Sequence, residues 1–340
     1  MSDRKLRIGV AGATGAVGRE LMGLLDRVDL PVSAVVPMAS PASEIHTLEI
    51  RGKNVRVDNL LPEVVSTCDL VIFAVPPDAA VEPIASAMDE GVPLIDLTGT
   101  LGPEQGVPVV VPTANRMELQ GFREHQAVSS PRPDVVGLVT LLAPVRAHAG
   151  DLRCRGLVMH SAATRGRGGV EELSNQVVSL FNSRTPQRQV FPRGLAFDIE
   201  PQIDAVGPGA WTGDELRCAA RASAMLRIAP ERLAISSMIG PWFNGICFSL
   251  QLETDAGIGA AQLGAILGGA PGVVVVESSG TAGPPRPRSC DGVAALQVGR
   301  LRDDPAGGSV HLWAVADELR FGAAGNAIAL LAALVEDDLI

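Results

Sequence analysis

Residues 6 to 25 constrain this chain more than any other stretch. An apolar run from Leu6 to Ala11 meets a turn carrying Gly12, Gly15 and Gly18. A helical pattern starts at once in Arg19-Glu20-Leu21-Met22-Gly23-Leu24-Leu25. Strand, glycine turn and helix in that order are the context that a dinucleotide-binding fingerprint requires. In that geometry Gly12 makes the turn, Gly15 lets main chain approach a pyrophosphate, and Gly18 lets the helix pack close to the strand. Unsatisfied N–H groups at the helix start then face the anion. The spacing here is G-x-x-G-x-x-G, not the commoner G-x-G-x-x-G. A glycine turn in a fold of the same type with an empty site is the alternative reading.

The following residues repeat the pattern of strand and helix. Val32–Val36 reads as a strand and Val55–Leu60 as a shorter extended piece. Asp69–Val75 is a continuous apolar run ending at Pro76-Pro77, as expected of a strand buried on both faces. Ala79–Asp89 reads as a helix and Pro93–Leu97 as a strand. Val107–Val111 and the segment around Val128 would complete a doubly wound parallel sheet, with its ligand crevice at the strand C-termini. Pro131 and Pro133 then break the chain. Val135–Leu142 reads as a helix stopped at Pro144. A second domain follows, with extended segments at Leu152–Ala162, Leu233–Ile239, Cys247–Thr254, Val293–Leu301 and Val310–Val315. Helices are predicted over Gly169–Phe181 and Glu215–Leu226, a loop over Ser278–Pro287, and a closing helix from Leu319 that packs back on the first domain. In Cys247–Thr254, Phe248, Leu250 and Leu252 alternate with polar residues, which suits a sheet with one wet face. The predicted division is residues 1–130 with 319–340, and residues 131–318.

Composition narrows the functions. At 340 residues two cores are expected. A net charge of −10 argues against nucleic acid, whose phosphates demand excess Lys and Arg. Met1-Ser2-Asp3-Arg4-Lys5 leads straight into a strand, which predicts no export signal. The apolar run Ala327–Val335 is too short for a membrane span. The five cysteines form no C-x-x-C pair, so reduced thiols and a cytoplasmic location are expected. His46, His125, His148 and His311 are dispersed and give no metal-ligand spacing, so no metal is predicted.

Several segments together carry a family resemblance. Gly12-Ala13-Thr14-Gly15-Ala16-Val17-Gly18 resembles the opening of the aspartate-β-semialdehyde dehydrogenases. Val107–Pro112 with Asn115, Gly169-Val170-Glu171-Glu172-Leu173 with Gln176, Phe197–Asp204, Val298–Arg302 and Asp317–Asn326 agree in order and spacing. Phe191-Pro192-Arg193-Gly194-Leu195-Ala196-Phe197 is closer still to the Usg-type paralogues of that family. The resemblance covers nearly the whole chain. It implies a Rossmann-type doubly wound sheet plus an α+β dimerisation domain, a homodimer, and an NADP or NAD cofactor. The cofactor contacts it implies are Gly12, Thr14, Gly15, Ala16, Val17, Ser40 and Asn326.

The family reaction is reductive dephosphorylation of β-aspartyl phosphate through a thioester. It needs a thiolate, a base, and cations for a carboxylate and a phosphate. Mapped on this chain, the nucleophile position is Arg132 or Pro133, and the base position is Ile246. The arginine for the substrate carboxylate falls on Ile239 and that for the phosphate on Gly102. The substrate-orienting Gln falls on His160. Only the acidic–basic pair Glu215 and Arg217 keeps its character. The expectation is therefore a family member without the family chemistry. The alternative is an NAD(P)-dependent oxidoreductase of the same fold acting on an aldehyde or acyl phosphate, such as aspartate-semialdehyde dehydrogenase itself with altered site chemistry. The 2′-phosphate clamp of NADP-dependent relatives maps to Ala39-Ser40-Pro41-Ala42-Ser43-Glu44. There Ala42 replaces an Arg and Glu44 adds repulsion, which disfavours NADP more than NAD.

Other residues have both a chemical and a plain structural reading. His160 is a relocated base or a core histidine, and Cys247 a rescued nucleophile or an inert buried thiol. Arg165 and Arg167 either hold a small anionic metabolite or are solvated loop charges. Arg132 either pairs a carboxylate or faces solvent.

Overall fold

The computed structural model describes residues 5–43, 45–50, 52–276 and 283–340, with main chain only at residue 208. The chain divides into two compact units, Met1–Arg132 with Gly322–Ile340, and Pro133–Phe321.

The first unit begins with β1 (Leu6–Ala11), α1 (Ala16–Leu25) and β2 (Val32–Ala39). A small antiparallel hairpin of β3 (Thr47–Ile50) and β4 (Lys53–Arg56) follows, then β5 (Asp58–Asn59) and a single turn, α2 (Pro62–Val65). Next come β6 (Leu70–Phe73), α3 (Pro77–Asp89), β7 (Leu94–Asp96), the short helices α4 (Pro112–Asn115) and α5 (Phe122–His125), and β8 (Ala127–Ser129). The sheet order is β5-β2-β1-β6-β7-β8, and every pairing is parallel. All four residues of β6 and all three of β7 are buried, which explains why their sequences are apolar without alternation. The chain turns to opposite sides after β1 and β6, so a crevice opens at the C-terminal ends of that pair, where Gly12 lies.

In the second unit, α6 (Pro133–Ala149) precedes β9 (Leu152–His160), α7 (Gly166–Phe181), α8 (Gly213–Leu226), β10 (Leu233–Ile239) and β11 (Ile246–Thr254). Then come α9 (Ala260–Gly268), β12 (Val273–Val275), α10 (Pro287–Cys290), β13 (Leu296–Asp303) and β14 (Val310–Ala316). The order β10-β9-β11-β14-β13-β12 mixes parallel outer pairs with antiparallel inner ones. Helix α6 comes close to this sheet because Gly137 has no side chain. A Cβ there would lie 2.3 Å from the Phe248 ring. Phe248, Leu250 and Leu252 are buried while Ser249 and Gln251 are only half-buried, so the alternation of β11 does mark two unlike faces.

The chain closes with a π-helical turn, Glu318–Ala323, and α11 (Ala324–Glu336), which puts Ala327, Leu330, Leu331 and Leu334 into the core of the first unit. The longer run Glu318–Glu336, of which Ala327–Val335 is part, is by length and composition alone long and apolar enough to cross a membrane. More than half of it is buried, as in the core helix of a globular protein.

Three expectations need correction. Val107–Val111 is not a strand. It makes one isolated bridge, Val109 with Ser129, and Asn115 holds it by accepting the Val111 N–H and donating to the Val109 carbonyl. Pro144 does not end α6, which runs through it to Ala149. Helix α9 and strand β12 were not foreseen. The loop predicted at Ser278–Pro287 lies outside the described residues as far as 282, and Pro287 begins α10.

Candidate functional site

The glycine turn of the first unit has the geometry its spacing suggests. Gly12 has φ of +87°, and a Cβ on it would lie 2.4 Å from the Ala74 carbonyl oxygen. A Cβ on Gly18 would lie 2.1 Å from the Gly12 carbonyl oxygen, so α1 can approach β1 only with glycine at that position. The Gly12 and Ala13 N–H groups donate to the Met38 carbonyl. Gly15 occupies the N-cap of α1 and offers no side chain to cap it. Gly15 and Ala16 are exposed and Val17 half-buried, so the start of the helix is open to an anion.

The neighbouring residues are placed as follows. The Ser43 hydroxyl donates to Thr14 Oγ1 at 3.3 Å, and Ser40 is exposed after β2. Ala42 is exposed as well, while Glu44 lies outside the described residues. Asn326 is buried and donates through Nδ2 to the Val110 carbonyl and to Ser130 Oγ, so its amide nitrogen is occupied in joining α11 to the segments beside β8. Gly102 is buried and carries no cation. Asp96, which sequence reasoning missed, is fully buried. It accepts from the Thr98 and Leu101 N–H groups and from the Thr98 and Ser129 hydroxyls, shaping the turn after β7. The signal was an acid closing an apolar strand just before Thr98-Gly99. Pro131 is buried, Arg132 exposed, and Pro133 opens α6.

In the second unit, Ile239 and Ile246 are core side chains at the end of β10 and the start of β11. Glu215 is consumed by a capping box. Its carboxylate accepts the Thr212 N–H and also the Ser237 N–H. Arg217 pairs with Asp204, and Arg167 with Glu171 one turn along α7. Glu172 accepts the N–H groups of Gln189, Val190 and Phe191, and Gln176 accepts those of Leu195 and Ala196. Glu172 of the Glu-Glu-Leu segment and Gln176 one turn on therefore clamp the strand-free chain that follows α7. Burial pushes the Glu172 carboxyl up, but the backbone donors and Gln176 outweigh it and leave the group below its ordinary range.

The five cysteines are free and buried. Burial raises the thiols of Cys68 and Cys154, and pushes those of Cys247 and Cys290 up to about 12. A buried, protonated thiol is a poor nucleophile.

Two further clusters were invisible in the sequence. Ser161, just after β9, donates to Glu318 Oε1 at 2.6 Å, and the Gly245 N–H supports the same carboxylate. Burial raises Glu318 to about 7, against the pull of these donors. One residue earlier, His160 lies with Asp134 and Asp214, all three buried. The His160 Nε2 and Asp214 Oδ2 atoms make no hydrogen bond, although each residue does engage in a polar or electrostatic interaction. Nothing in their spacing along the chain foretells that convergence.

With this geometry in place, known proteins supply the family. The semialdehyde dehydrogenase NAD-binding domain model matches residues 7–122, and the semialdehyde dehydrogenase dimerisation domain model matches residues 142–321. Aspartate-semialdehyde dehydrogenase 2 of Vibrio cholerae is 28% identical over 98% of this chain and 99% of its own. A USG-1 protein homolog of Azotobacter vinelandii is 30% identical over 97% of both chains. Among solved structures, the Vibrio cholerae aspartate semialdehyde dehydrogenase II complexed with ASA superposes with a TM-score of 0.91 at 27% identity, covering 98% of this chain and 99% of that one. A probable aspartate-semialdehyde dehydrogenase of Pseudomonas aeruginosa gives 0.90 at 30% identity with the same coverage. The Rossmann-type parallel sheet, the mixed sheet of the second unit and these matches along almost the whole length agree, and the chain belongs to the aspartate-semialdehyde dehydrogenase family.

Proposed function

We propose that this protein keeps the family scaffold without the family's covalent chemistry, as a cytoplasmic, homodimeric paralogue of Usg type. The observation that carries the reading is the set of side chains at the mapped chemical positions. Arg132 or Pro133 stands for the nucleophile and can form no thioester. Ile246 stands for the base and Ile239 for the carboxylate-binding arginine, and both are sealed in the core. Gly102 offers nothing to a phosphate. All five thiols are buried, and burial keeps those of Cys68, Cys154, Cys247 and Cys290 protonated, so none of these four substitutes. Loss of a nucleophile alone removes most covalent catalysis.

The test is direct. Purified protein given aspartate semialdehyde, phosphate and NADP is expected to produce NADPH no faster than a protein-free control. A steady enzyme-dependent rate overturns the reading.

The open start of α1 favours a second reading, in which a dinucleotide still binds and an altered site acts on some other aldehyde or acyl phosphate. The residues that would hold it are those of the turn, Gly12 to Val17, with Ser40 alongside. A thermal-shift series with NAD, NADP and small anionic metabolites separates the two, since a ligand of the folded state raises the melting temperature. No shift at millimolar dinucleotide removes the second reading.

The dimer has support in exposed apolar side chains of the second unit. Val178, Leu180 and Phe181 project from α7, and Phe197 meets Phe181 edge-on with ring centroids 5.9 Å apart. Monomers rarely expose neighbouring aromatic side chains of this size without a partner for them.

A further inference from the structure

Asp134, His160 and Asp214 come from three separate elements of the second unit. Asp134 stands in the first turn of α6, His160 ends β9, and Asp214 stands in the first turn of α8. They are 1%, 5% and 4% exposed. One donor atom from each lies within 4.8 Å of the other two. All three side chains already take part in polar or electrostatic interactions, and their donor atoms nonetheless converge in a dry interior as one imidazole and two carboxylates, a donor set that metal ions take.

We infer that Asp134, His160 and Asp214 form a binding site for a single divalent transition-metal ion of the Zn²⁺ class. The donor set decides the class. One imidazole nitrogen with two carboxylates suits a borderline ion, whereas Mg²⁺ and Ca²⁺ favour shells built from oxygen alone. Bonds of about 2.1 Å put tetrahedral donors roughly 3.4 Å apart, so the side chains must close by about an ångström on the ion. Three protein donors leave the fourth tetrahedral position to water or a small anion, a pattern seen in catalytic rather than purely structural zinc sites. Acidic residues also favour the first turns of helices for the dipole alone, and the Val135 N–H does donate to Asp134 Oδ1 at 2.9 Å. The experiment must separate these two roles.

Full-length protein is stripped with chelator and titrated with Zn²⁺, Mn²⁺ and Mg²⁺ by calorimetry, with melting temperature read in parallel. One Zn²⁺ per chain and a raised melting temperature are expected, with Mg²⁺ much weaker. Asp214→Asn and His160→Gln should each weaken Zn²⁺ at least as much as the roughly tenfold loss that even outer-shell changes cause. Co²⁺ bound to the wild-type protein should show d–d absorption without a thiolate charge-transfer band, and this measurement stands even if the variants fail to fold. Absence of stoichiometric Zn²⁺, preference for Mg²⁺, unchanged affinity in folded variants, or a thiolate band pointing to the cysteines would each overturn the assignment.

Discussion

At Glu318, a carboxyl group whose ordinary pKa is 4.5 is raised to about 7 by burial. Between those two values the folded chain holds a proton that the unfolded chain has released. Stability supplied by this group is therefore complete below pH 4.5 and declines as pH rises toward 7. Glu318→Gln is expected to remove that slope and to stabilise the protein above pH 7 by up to about 3 kcal/mol, read from melting curves across the range. Glu172 has the opposite sign. Its lowered pKa means that its contribution is present above the ordinary carboxylate range and is lost as pH falls through the folded value. Glu172→Ala strands the N–H groups of Gln189, Val190 and Phe191. The expected loss is about 3 kcal/mol or more of unfolding free energy from urea denaturation, with faster amide exchange across residues 187–196. Neither role was visible beforehand. In the sequence Glu172 is one residue of a family segment, and only the fold shows which main-chain donors it meets.

Among the elements, α1 depends on a single missing methyl group. Gly18→Ala would place a Cβ 2.1 Å from the Gly12 carbonyl oxygen, and main chain cannot yield as a flexible side chain does. Circular dichroism and thermal melting should report a loss of several kcal/mol or failure to fold, whereas Gly23→Ala, with nothing within 4 Å, should stabilise α1 by about 1 kcal/mol. Pro144 supplies a second test. It sits inside α6 and lacks the N–H that would reach back one turn, so Pro144→Ala should gain up to about 3 kcal/mol, measured by denaturant midpoint. Elements with strong local signals were legible: β1, β6, the glycine turn and the alternating β11. Those decided by tertiary contacts were not. Val107–Val111 has the composition of a strand, but only Val109 makes a bridge, to Ser129, and the Asn115 and Asn326 amides hold the main chain of Val109 to Val111. Helix α9, Ala-Ala-Gln-Leu-Gly-Ala-Ile-Leu-Gly, is short of charged residues and rich in glycine, so no amphipathic pattern announced it. The mapped chemical positions rest on the family resemblance alone, while the Asp134, His160 and Asp214 cluster exists only once three distant segments are folded together.

For the whole molecule, the mixed sheet and the exposed side chains of α7 belong to the segment matched by the dimerisation-domain model. On the homodimeric reading proposed above, wild-type protein is expected to have twice the chain mass in light scattering, and a Phe181→Asp, Phe197→Asp double variant to shift to the monomer mass while keeping its far-ultraviolet spectrum. A wild-type monomer, or an unchanged dimer mass in the variant, counts against these side chains as the contact. The division of the chain into its two units has a consequence for the order in which they can form. Residues 1–132 leave the ribosome first, yet the hydrophobic interior they contribute to is finished by Ala327, Leu330, Leu331 and Leu334, which are translated only after all of residues 133–321. The nascent first unit must therefore wait, with part of its apolar surface uncovered, while the whole of the second is made. Of the two units, the one translated earlier is the later able to complete its fold, and its exposure to chaperones and proteases is set by the translation time of the unit in between.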